Sequence, residues 1–161
     1  MLKTRSEIER IKDECLSMVT KRALLSGSAS AVPIPMADAV TDISILLEMI
    51  PEINRRFGLS PEQIGSLTPA QQAIVYSIIK RVGTSLAGKA ITRAMITQSL
   101  KSVAGRIGVK QVAKFVPFIG TAISATVGFA AMKYVGNRHV EDCADICLRL
   151  LNSHELREIS G

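Results

Sequence analysis

Tryptophan is absent, and the remaining aromatics make up only 4% of the chain. So few rings leave no stacking platform for single-stranded nucleic acid. The apolar 47% must instead come from Ile, Leu, Val, Ala and Met. Such a composition suits helices packed closely through small side chains better than a strand-rich core. Cysteine is scarce as well. Cys15, Cys143 and Cys147 are too few, and odd in number, for a disulfide framework, which points to a reducing compartment. Histidine occurs only at 139 and 154, close together near the C-terminus, so no Ser/His/Asp constellation can be proposed.

The widest gap is in negative charge. Every acidic residue lies at or before Glu62 or at or after Glu141. Between them stand ten cations: Lys80, Arg81, Lys89, Arg93, Lys101, Arg106, Lys110, Lys114, Lys133 and Arg138. The formal net charge of +6 understates this asymmetry. One sign of charge over half the chain points to an anionic partner, or to a basic solvated face balanced in space by the acidic ends. The N-terminus, MLKTRSEIERIKDE, mixes both signs and reads as neither a secretory signal nor a transit peptide.

At 161 residues the chain fits one domain with a real core. The pattern predicts an all-α fold, a compact bundle of about five to seven helices around a central apolar Ala/Gly-rich helix. Residues 1–25 form an N-terminal amphipathic helix, 26–152 the helical core and 153–161 a frayed tail. Ser6 and Glu9 have capping-box spacing. Ile8, Ile11, Cys15, Met18 or Val19, and Arg22 or Ala23 follow helical spacing behind them. Small residues and two prolines break the helix at 26–36. A second helix restarts at Ala37, with Pro51 expected to kink or split it. Ser60-Pro61 and Thr68-Pro69 each read as an N-cap followed by proline at the first helical position. Breaks are expected at 83–88 and 105–108, where glycines cluster. No run alternates strongly enough to propose a strand.

The stretch 115–135, FVPFIGTAISATVGFAAMKYV, is the central helix of this reading, with Lys133 its only charge. Gly120, Ala122, Ser124, Ala125, Gly128, Ala130 and Ala131 keep part of its surface small. A helix apolar on every side belongs in a protein core or in lipid. Its eighteen uncharged residues, 115–132, are near the lower limit for a span. Pro117, Gly120 and the many Ala, Ser and Thr residues lower the drive to insert. A buried core helix is the structural expectation. It continues past Gly136 with Val140, Cys143 or Ala144, Cys147 and Leu150 or Leu151 facing inward.

Three small constellations carry possible chemistry. Gly83-Thr-Ser-Leu-Ala-Gly88-Lys89-Ala90 matches a phosphate loop except at its last position. There Ala90 replaces the hydroxyl that would hold magnesium, and no strand is expected before the loop. A break between helices is the simpler reading. His139, Cys143 and Cys147 step by four and could share a helix face, but structural zinc usually needs four ligands from separated elements. Asp38 and Asp42 lie one turn apart, where acids commonly sit at a helix N-terminus without catalysis. No metal, no cofactor and no catalytic residue are expected.

Two proline corners then stand out: Val32-Pro33-Ile34-Pro35-Met36-Ala37-Asp38, and Val116-Pro117-Phe118-Ile119-Gly120. Together they resemble the YcjF-type family of bacteria, over roughly residues 21–135. Members share a small Ala-rich helical domain with a PIP-x-x-D corner and a later P-x-x-G corner. They often carry Gly where this chain has Met36. The resemblance marks Pro33, Ile34, Pro35, Asp38, Pro117 and Gly120. It implies a module working at membranes or with a GTPase domain, here supplied in trans, and it carries over no catalytic residue.

The sequence thus predicts a non-enzymatic helical module in the cytoplasm, on or in the inner membrane. Lys89, Arg93, Lys101, Arg106, Lys110 and Lys114 would carry attraction to anionic lipid or to an acidic protein. Nucleic acid is disfavoured by the apolar character of the basic half. The alternatives are a soluble effector, toxin or immunity-type interaction protein, or a pore-former.

Overall fold

The computed structural model describes residues 4–29, 37–107 and 120–159, with side chains for 4–24, 43–103 and 129–153. The first helix, α1 (Arg5–Ala29), opens on a reciprocal cap. The Thr4 amide donates to Glu7 Oε2 at 2.8 Å, and the Glu7 amide donates to Thr4 Oγ1 at 3.3 Å. The box therefore forms two residues before the Ser6–Glu9 pair expected from spacing. The earlier start brings Ile8, fully buried, into the first turns. Cys15, Val19 and Ala23 continue that face inward. The helix also runs on through Ser26 to Ala29, where a break was expected. Gly27 and its serines weaken a helix by up to ~1 kcal/mol each, but only proline blocks extension of a turn already formed.

Helix α2 (Ala37–Phe57) starts where expected but is not split at Pro51. Leu46, Met49 and Ile50 before the proline, and Ile53 and Phe57 after it, are all buried on one side. Burying each such side chain contributes ~1.5–3 kcal/mol, which together exceeds the ~3 kcal/mol that an interior proline costs. The short α3 (Pro61–Gly65) and α4 (Pro69–Val82) carry full capping boxes, Ser60 with Gln63 and Thr68 with Gln71. Each has proline in its first turn, where its missing N–H would have had no helical partner. Gly83 ends α4 in the left-handed conformation, φ 77°, its amide on Ile79 O.

A loop then leads to α5 (Arg93–Ile107), and α6 (Gly120–Ile159) completes the described chain. The first glycine break falls where expected. Helix α5, however, continues through Gly105, and the rest of the second break lies outside the described residues. No strand occurs among the described residues.

Helix α6 is the axis of the fold. It packs against α1, α2, α4 and α5. Its forty residues would span roughly 60 Å at the usual helical rise. Met132, Val135, Val140, Cys143, Ala144, Ile146 and Cys147 are buried, whereas Ala130, Tyr134, Arg138, Glu141 and Arg149 are exposed. Over 129–153, then, α6 is an amphipathic core helix, and its C-terminal stripe is the one read from spacing. Gly136 faces α1 and α2. A Cβ there would stand 2.7 Å from Val19 Cγ1 and 3.0 Å from Met49 Cε. Residues 153–159 are helical rather than frayed. They contain neither Gly nor Pro, and adding a turn to a long helix needs no new nucleation. Among the described residues, no helix is long and apolar enough to cross a membrane.

Candidate functional site

A corner is formed by the end of α4, the loop 83–92 and the start of α5. Local chemistry explains its shape. Gly83 terminates α4. Thr92 then caps α5, its hydroxyl accepting from the Met95 amide at 3.4 Å and its carbonyl from the Ile96 amide at 3.2 Å. Between these caps, Leu86, Ala87 and Gly88 turn inward and are buried. Gly88 adopts φ +71°, and its amide donates to Leu59 O at 3.1 Å. A Cβ at that position would meet Ile79 Cδ1 at 2.9 Å. Three of the loop's amides are thus spent on the fold: Gly83 on Ile79 O, Leu86 on Thr84 Oγ1 and Gly88 on Leu59 O. A phosphate cradle would need them pointing out. With α4 rather than a strand before it, the loop is a pinned connection between helices, as the missing hydroxyl at Ala90 suggested.

What pins it is a buried polar group on α2. Asn54, 1% exposed, donates from Nδ2 to Leu86 O at 3.1 Å. That bond fixes its Oδ1 as an acceptor, which lies 3.1 Å from His139 Nε2. Nε2 must therefore carry the imidazole proton. Cys143 Sγ lies 3.7 Å from Asn54 Oδ1 and 3.6 Å from His139 Nε2. Cys147 Sγ donates elsewhere, to Phe57 O at 3.5 Å. His139 Nδ1 is buried without a hydrogen-bond partner. Burial pushes the His139 pKa down to about 4, so the ring is neutral near neutrality.

An Asn, a His and a Cys in contact are the ingredients of a thiol catalyst, but the arrangement here differs. Both Asn54 and Cys143 address the same ring nitrogen, and all three side chains are buried, so no substrate reaches the sulfur. The cluster ties together α2, the loop and α6. His139 and Cys143 share a face, as their spacing predicted. Cys147 turns away from them to Phe57, and among the described residues no group of three His, Cys, Asp or Glu could hold a metal ion. Asn54 carried no signal in the sequence, because its partners lie far away along the chain.

The outside of the corner is cationic. Lys80, Arg81, Lys89, Arg93 and Lys101 are exposed, and none of them forms an ion pair among the described residues. Arg93, Thr97 and Lys101 step by four and so share one face of α5, with Ile96 and Val103 buried on the other. Lys133 lies 5.9 Å from the Phe129 ring centre, and Arg138 pairs with Asp142 at 3.1 Å. Asp142 is half-buried, and its pKa is raised by that burial. Three of the six predicted anion-binding residues, Lys89, Arg93 and Lys101, are thereby placed on the surface of neighbouring elements. Arg106 lies in the last turn of α5, and Lys110 and Lys114 fall outside the described residues. Among the corner residues of the resemblance, Asp38 lies in the first turn of α2 and Gly120 opens α6; Asp42 follows one turn after Asp38. Pro33, Ile34, Pro35 and Pro117 are outside the described residues.

A second concavity, about 550 Å³, opens between the end of α2, α3, the start of α4 and α6, with Cys147 in its lining. Its polar groups are already engaged. Arg55 and Arg56 pair with Glu52 at 2.7 and 2.9 Å, which holds the Glu52 carboxyl below its ordinary range. Gln63 and Gln71 serve the capping boxes.

In class, then, the chain is an all-helical bundle packed around one face of a central amphipathic helix, with a cationic corner. No protein-family model, curated protein or solved structure matches it.

Proposed function

We propose that the chain is a non-enzymatic helical module that attaches to an anionic membrane surface, on the cytoplasmic side, through this corner. The observation that carries the reading is the exposed set Lys80, Arg81, Lys89, Arg93 and Lys101. It is unpaired among the described residues and belongs to a stretch without one acid from 63 to 140. The buried Asn54–Leu86 bond holds the loop that presents Lys89, so the charges sit on a fixed frame. Attachment is peripheral: the described part of α6 buries its apolar face in the protein's own core.

Each Lys or Arg near an anionic surface contributes about 1 kcal/mol. Exchanging Lys89, Arg93 and Lys101 together for Gln is expected to weaken partitioning onto phosphatidylglycerol-containing vesicles by about 100-fold at low salt. Partitioning unchanged by the triple exchange would contradict the role given to this corner.

A further inference from the structure

One exposed aromatic borders the basic corner. Tyr76 on α4 is 46% exposed, and with Leu24 and Tyr134 it is one of three large apolar side chains exposed among the described residues. Lys80 follows one turn later on the same face of α4, also exposed. The ring lies along the pinned loop: a Cβ on Gly88 would come within 3.6 Å of Tyr76 Cε1. Lys89, the next residue, is exposed. Gly88 is itself fixed by its bond to Leu59 O, so the backbone that carries Lys89 is held beside the ring.

Of the nearby carboxylates, Asp142 on α6 is committed to Arg138, at 3.1 Å. An amphipathic ring with a phenol tip, flanked by cations, matches the chemistry of the bilayer headgroup layer. There an apolar body and a polar tip are both satisfied and phosphates meet ammonium groups.

We propose that Tyr76 is the point at which this face enters the headgroup layer of an anionic bilayer, with Lys80 and Lys89 meeting phosphates beside it; this rests on the anionic-surface reading above. Tyr134 is the internal control. It is equally exposed, but it sits on α6, one turn before the Arg138–Asp142 pair and beside Lys133, which lies over Phe129.

Because the chain has no Trp, Tyr76→Trp and Tyr134→Trp each create a single emitter. Emission, iodide quenching and flotation are measured on the same samples, with vesicles of phosphatidylcholine alone and of phosphatidylcholine with phosphatidylglycerol. The Tyr76→Trp emission is expected to shift to the blue and lose iodide quenching with anionic vesicles only. The Tyr134→Trp emission is expected to stay unchanged. Adding Lys80→Glu and Lys89→Glu to Tyr76→Trp is expected to abolish the shift. Flotation without a Tyr76→Trp shift would overturn the patch and leave the anionic-surface reading standing. Absence of flotation for the native chain and both variants would overturn both. A shift that survives the two charge reversals would overturn the role of the lysines.

Discussion

Single residues hold the bundle together at two points. Gly136 lets α1 approach α6, and a methyl group there would meet the stiff β-branched Val19 at 2.7 Å. Overpacking of this kind costs ~1–3 kcal/mol, partly offset by the ~1 kcal/mol that Ala gains over Gly in a helix. Gly136→Ala is therefore expected to lower the denaturant midpoint. Gly65→Ala, with nothing within 4 Å, is expected to leave the midpoint unchanged or raise it. The second point is His139. Unfolded, its imidazole takes a proton near pH 6.5; folded, only near pH 4. Between those values the unfolded chain binds more protons, so stability falls as pH is lowered through this window and levels off below it. The slope approaches ~1.4 kcal/mol per pH unit. Native stability measured against His139→Leu across pH 4 to 6.5 should show that slope as the difference between the two. Parallel curves would contradict it. The spacing of His139 and Cys143 was visible in the sequence. Asn54 was not, because a buried hydrogen bond across 85 positions leaves no local pattern.

At the scale of elements, punctuation was the most readable signal. Ser60-Pro61 and Thr68-Pro69 opened helices as their caps require, and Gly83 closed one. These devices act within a few residues, so a sequence displays them. Where tertiary packing decided, local signals failed. Pro51 reads as a break, yet the side chains buried on both sides keep α2 whole. Pro51→Ala restores a donor to the helix and is expected to raise the thermal midpoint, through a gain of ~1–3 kcal/mol. A lower midpoint would mean that the ring's own packing matters more. In the loop 83–92, Gly88→Ala meets both a left-handed backbone and Ile79. It is expected to cost ~1–3 kcal/mol and, by loosening the seat of Lys89, to weaken vesicle binding as well.

At the scale of the molecule, composition and helical periodicity indicated an all-helical bundle, because a low-aromatic, Ala-rich chain of that periodicity has few other ways to bury its apolar surface. The described packing of its central helix lies mostly C-terminal of the 115–135 stretch expected, over 129–153 of α6. The cationic half was equally legible, since charge is counted rather than folded. Its arrangement was not: only the structure shows that Tyr76, Lys80 and Lys89 share one corner, and that α6 spends its apolar face on α1, α2, α4 and α5 over 129–153.

The measurement that tests the central claim most directly is flotation of the native chain with neutral and with anionic vesicles, at low and at high salt. Attachment through the basic corner predicts flotation with anionic vesicles only, reversed by high salt as screening shortens the reach of the exposed cations. Flotation that survives high salt would contradict a charge-led peripheral contact. Absence of flotation with any vesicle would contradict the membrane reading and direct the same corner to an acidic protein.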